Sequence, residues 1–295
     1  MHSPILSLAN ILAAFLMLLP FLAMIFFPDA FDRWVRRFSQ AARILCPATL
    51  SLAYILVAVS AGNFQWSWLA LYLLLPAAVS SLLWQARRAD PEQRGNWRDF
   101  CVLALLGLAV DLRWFESAWP PHLAVFNKFL LLNTGLYGFL TIRQLNGADL
   151  NLRLRRQDFR IGLREFAFYA PVAIALGLWL GFLHIHTSLP PLWRIAAAPF
   201  FTFFFIAIPE EVFFRGWLQN LLERRLGRTS SLLVTALLFG LSHFNKRTAH
   251  FNWRYVLLAA LAGIAYGRAW RAQRRVAASA ITHTVVDTLW SLALR

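Results

Sequence analysis

An all-helical bundle that crosses a membrane many times is the fold this sequence predicts, and three observations predict it. Of 295 residues, 59% are hydrophobic and only 15% are charged, whereas a soluble domain carries about a quarter charged residues. The apolar residues gather into about ten runs, most near the ~20 residues a helix needs to cross hydrocarbon. The arginines fall in short clusters between those runs, the signature of cytoplasmic loops.

The runs lie near 4–27, 44–62, 66–85, 100–112, 122–142, 166–184, 195–222, 231–244, 254–270 and 276–294. The first lacks a basic start, is too long for a signal-peptide core and has no small-residue cleavage site after it, so it reads as a retained helix. The fourth and eighth are short and are expected to be tilted, re-entrant or covered by neighbours. Basic loops follow runs one, three, five, seven and nine. The segments "GNFQ", "ESAWPPH" and "HIHTSLPPLW" between the others carry little positive charge. That alternation places odd loops in the cytoplasm and both termini on the other face, periplasmic if the membrane is a bacterial inner membrane, as the arginine-rich usage and compact loops suggest. "NKRTAHFNWR" after run eight breaks the alternation.

Residues 1–150 read as an N-terminal set of helices offering a substrate or partner surface. Residues 151–165 read as a basic amphipathic linker, and 166–295 as the core that carries chemistry. The formal charge of +15 does not point to nucleic acid, because no soluble segment is long enough to present one continuous basic face. Cys46 and Cys101 lie in apolar runs without metal-ligand or disulfide spacing.

An ionisable group inside a spanning helix costs ~2.5–3.5 kcal/mol and calls for a reason. Such groups concentrate in the last runs: Glu210, Glu211 and Arg215, then His243, then His283 and Asp287. Glu211 and Arg215 are i,i+4 and can form a structural ion pair. Glu210 is turned about 100° away, and one arginine neutralises only one glutamate, so Glu210 needs a proton, a cation or a histidine. At the helical rise Glu210 and His243 lie roughly 18–20 Å from the same membrane face, and His283 and Asp287 roughly 10 and 17 Å. All can converge on one layer. A buried carboxylate can act as general base on a water, and a histidine can face a developing oxyanion. Peptide hydrolysis inside a membrane needs no more, and no cofactor or metal is expected.

"EEVFFR" at 210–215, "FGLSH" at 239–243 and "HTVVD" at 283–287 resemble, in order and approximate separation, the three motifs of the glutamate-type intramembrane endopeptidases. That is the CAAX prenyl protease family, which includes the Ras-converting enzyme and its bacterial Abi relatives. The resemblance covers the last 100 to 130 residues or so. It implies that Glu210 activates water with His243, that His283 helps form the oxyanion site, and that Glu211 and Arg215 are architectural. Asp287 departs from the family's usual asparagine; it is left to orient His283 as a triad acid does or to donate if protonated. The implied substrate is a membrane-associated protein or peptide, such as a C-terminal sorting tail or a bacteriocin-type peptide. The rival readings are a non-catalytic immunity or scaffold protein, a proton-coupled transporter and a zinc intramembrane protease. The transporter lacks the internal repeat expected of it, and the zinc protease lacks H-E-x-x-H.

Overall fold

The computed structural model describes residues 7–147, 150, 152–186, 190–246, 248 and 250–294. Residues 4–6 of the first predicted run, Asn151 of the predicted linker, and residues 187–189, 247 and 249 of two predicted loops lie outside them. The described chain is helical, without a β-strand. It divides into two compact units, Met1–Leu145 and Asn146–Arg295.

In the first unit, α1 (Leu8–Phe26) opens on Ser7, whose hydroxyl accepts the Asn10 N–H at 3.2 Å, a side-chain N-cap. After α2 (Pro28–Val35), α3 (Gln40–Leu45) runs through a tight turn at Cys46–Leu50 into α4 (Ser51–Ser60). Then come α5 (Trp66–Ala89), α6 (Trp97–Asp111) and α7 (Val125–Tyr137), the last extended by a wide π turn at Gly138–Ile142. Helix α1 packs against α4 and α7, and α5 against α6. Arg143, fully buried, bonds Asp99 at 2.8 Å and Asp90 at 2.7 Å. It ties the end of the α7 helix to the loop after α5 and the first turn of α6.

In the second unit, α8 (Arg156–Trp179) begins ten residues before run six, inside the segment read as linker. Its first turn is held by Asp158, which accepts the Arg155 N–H at 2.8 Å and the Arg275 Nε–H at 2.8 Å. Next are α9 (Leu192–Thr202), α10 (Ile208–Glu211) and α11 (Asn220–Leu241), joined by π turns at Phe203–Ala207 and Val212–Gln219. The expected loop between runs seven and eight contracts to one residue: Gly227, at φ 75° and ψ 178°, is where helical geometry breaks, in a conformation open mainly to glycine. Helices α12 (Trp253–Gln273) and α13 (Val276–Ala293) are separated by Arg274, at φ 56°, and Arg275. Helix α11 packs on α12, while α8, α12 and α13 pack on one another.

By length and hydropathy, six stretches of the described chain are able to cross a membrane. Seven of the ten predicted runs fall in them, because Leu192–Leu241 joins runs seven and eight. The other three correspond to α6, α12 and α13. Helix α6 has 15 residues, α12 carries three arginines, and α13 has 18 residues that include His283 and Asp287. The chain is thus an all-α, polytopic integral membrane protein.

Candidate active site

The helix that carries Glu210 and Glu211 is a short α segment between two π turns, with Pro209 next to the first glutamate. Proline removes one backbone donor from the helical ladder, and π turns are frequent at functional sites. The two neighbouring carboxylates meet different surroundings. Glu211 is wholly buried; the Glu210 side chain keeps 29% of its exposure.

Glu211 is the hub of the buried side. Its Oε1 accepts from Arg215 Nη1 at 3.0 Å and lies 2.8 Å from His283 Nδ1, while its Oε2 accepts from the Ser279 hydroxyl. The i,i+4 pairing with Arg215 expected from the sequence is present. The contacts to His283 and Ser279 are additional. Arg215 also donates to the Gly263 carbonyl at 2.9 Å and lies over the Phe239 ring at 4.7 Å. One helical turn on, Gln219 donates to the Gly267 carbonyl at 3.4 Å. Two glycines spaced by four on α12 therefore offer their carbonyls to two polar residues spaced by four on the facing helix. A Cβ at Gly263 would stand 2.9 Å from the Ala236 Cα, so glycine there sets how closely α11 and α12 approach.

His283, on α13, is buried to 2%. Its Nδ1 faces Glu211, and its Nε2 stands 3.4 Å from Asp287 Oδ2 and 3.9 Å from Glu210 Oε2. The Tyr266 ring stacks on the imidazole at 4.5 Å and 15°. A carboxylate at Nδ1 selects the tautomer with a proton there and leaves Nε2 to face the other two acids.

His243 was expected within a helix. It lies instead in the turn beyond α11, where its N–H bonds the Gly240 carbonyl at 3.0 Å, tightening the helix end. Its Nδ1 is 2.8 Å from the Phe239 carbonyl. A carbonyl only accepts, so Nδ1 carries the proton and Nε2 is the acceptor of the neutral ring. The Phe239 ring touches both imidazoles, 5.0 Å from His243 and 5.7 Å from His283.

Both histidines and Asp287 line a cavity of about 70 Å³ whose other walls are aromatic and aliphatic, Tyr169, Tyr255, Tyr266 and Trp290 among them. Glu210 is outside that lining, although its Oε2 stands 3.9 Å from the same His283 nitrogen that faces Asp287. The residues singled out in the sequence are thus gathered around His283 and this cavity, and two partners of the cluster, Ser279 and Tyr266, were not singled out. Ser279 had a legible signal: it stands four residues before His283, as Asp287 stands four after, so all three share one face of α13.

Residues 190–289 match the family model described as Type II CAAX prenyl endopeptidase Rce1-like. The match covers 100 of the 295 residues, and this segment is similar to that family. No curated protein and no solved structure matches the chain. The matched segment spans α9 to α13 up to Leu289 and contains Glu210, Glu211, Arg215, His243, Ser279, His283 and Asp287. The first unit, and α8 of the second, lie outside it.

Proposed function

We propose that the second unit is a glutamate-dependent intramembrane endopeptidase acting on a membrane-associated protein or peptide. The observation that carries this reading is the trio at His283: one nitrogen held by a buried carboxylate, the other 3.9 Å from the more exposed carboxylate of Glu210. That is a positioned imidazole beside a candidate base. Glu210 takes a proton from water as the water oxygen bonds the scissile carbonyl carbon. The carbonyl oxygen becomes an oxyanion facing His283 Nε2, which donates to it when the ring, held among its carboxylates, carries a proton on both nitrogens. Collapse of the tetrahedral intermediate breaks the C–N bond, and the proton passes to the leaving amine. His243, with its Nε2 free to accept, helps hold the water. Glu211 and Arg215 position His283 without touching substrate. No metal or cofactor is needed for these steps.

One observation favours a second assignment within the same reaction class. Asp287, not Glu210, lines the cavity, with 28% of its side-chain surface exposed. Water activated from that side would give its proton to Asp287.

The family's description names prenylated CAAX tails. In a bacterial inner membrane the substrate would instead be a C-terminal sorting tail or a bacteriocin-type peptide. The deciding experiment is proteomics of membrane-protein C-termini in cells carrying the wild type, Glu210→Gln or Asp287→Asn. New C-termini that vanish only with Glu210→Gln support the first assignment, and those that vanish only with Asp287→Asn support the second. Identical termini in all three strains and in cells lacking the protein would overturn the protease reading.

A further inference from the structure

The first unit holds a second cavity, of about 310 Å³, where α3, the end of α5 and the π turn after α7 come together. That volume sits at the lower end of small-ligand clefts. Its polar lining is Gln40, Arg43, Arg87, Arg88 and Thr141, with Trp84 among the apolar walls, and no carboxylate lines it. Of the nearby acids, Asp32 bonds Arg36 at 2.7 Å through one oxygen, and Asp90 bonds Arg143 at 2.7 Å. Donor capacity at the cavity is unspent. Thr141 is buried to 1% and its hydroxyl has no hydrogen-bond partner, nor has the buried Nε of Arg43. Arg88 lies over the Trp84 ring at 4.9 Å, which holds one guanidinium at the rim.

Three guanidiniums, an amide and a free hydroxyl around one concavity that no carboxylate lines are a set that recognises an oxyanion, and the planar fork of arginine matches phosphate in particular. The site lies at helix ends, beside a tryptophan of the kind that sits at headgroup level. We propose that this cavity binds a phosphate-type anion, carried by an anionic phospholipid headgroup or free in solution. The second unit plays no part in the assignment, so it stands or falls independently of the protease reading.

The test uses the full chain, purified in zwitterionic detergent, with thermal unfolding and native mass spectrometry as readouts. Phosphatidylglycerol, phosphatidylcholine and inorganic phosphate are added separately. Phosphatidylglycerol should stabilise the protein and remain bound where phosphatidylcholine does not. The Arg87→Gln/Arg88→Gln variant should bind it about tenfold more weakly or worse, through loss of charge-assisted hydrogen bonds. Thr141→Val should weaken binding several-fold without changing stability in the ligand-free state. Arg37→Gln, an exposed arginine outside the cavity, should bind as wild type. Equal stabilisation by inorganic phosphate would keep the site and assign it to the free anion. Equal loss in Arg37→Gln, or no preference of the wild type for any of the anions over phosphatidylcholine, would reduce the effect to general surface charge and overturn the proposal.

Discussion

The Nδ1 atom of His283 lies 2.8 Å from the Oε1 of Glu211, an oxygen that also accepts from Arg215 at 3.0 Å. The carboxylate that looked purely architectural thereby fixes the orientation of the imidazole nearest to Glu210. One carboxylate thus pairs with Arg215 and holds His283, and under the proposed mechanism the first expectations follow from that arrangement.

Glu210→Gln should abolish cleavage while the protein inserts and accumulates as wild type. The substitution keeps the shape of a partly exposed side chain whose Oε2 stands 3.9 Å from His283 Nε2, and removes only its capacity to take a proton. Immunoblotting for abundance beside a cleavage assay separates the two effects.

Glu211→Gln should lower abundance and thermal stability. It leaves the buried Arg215 charge without its counter-charge, a loss of about 3–5 kcal/mol. Ser279→Ala should cost less, about 1–3 kcal/mol, because it removes one hydrogen-bond donor and no charge. Unfolding midpoints of the purified variants should fall in the order wild type, Ser279→Ala, Glu211→Gln.

Asp287→Asn should retain cleavage within a few-fold if Glu210 is the base, since an amide can donate to an oxyanion, which an ionised aspartate cannot. Asp287→Ala should lose more than Asp287→Asn. Under the alternative in which Asp287 takes the proton, both substitutions should be equally inactive. Measuring kcat for the pair on one peptide substrate distinguishes the cases.

Gly263→Ala should destabilise the second unit by about 1–3 kcal/mol through overpacking. The added methyl would meet the backbone of Ala236 at 2.9 Å, and backbone yields less readily than a side chain. A lowered unfolding midpoint with the Glu210 chemistry intact per folded molecule is the expected result.

Cleavage should survive a strong chelator. The Nδ1 atoms of both histidines are already engaged, one by Phe239 and the other by Glu211. Among the described residues, no three His, Cys, Asp or Glu side chains are grouped to hold a metal ion. Loss of activity that zinc restores would refute the proposed mechanism.

The sequence by itself determined that this is a helical membrane protein and where its buried ionisable residues concentrate. Both are local properties: hydrocarbon admits only long apolar helices with their backbone satisfied, and ionisable residues there are rare enough to stand out. The i,i+4 relation of Glu211 to Arg215 was legible for the same reason, since helical spacing alone makes the pair neighbours. Tertiary structure decided the rest. Ser279 and His283 reach Glu211 across 68 and 72 residues of chain, and Arg143 reaches Asp99 across 44; which helix faces which is set by packing, not by spacing along the chain. The π turns flanking Glu210 escaped the pattern of apolar residues because they do not interrupt it, whereas the polar stretch 223–230 does interrupt it and reads as a loop longer than the single break at Gly227. The second cavity was unreadable too: its arginines look like any positively charged membrane boundary until three helix ends close around the same space.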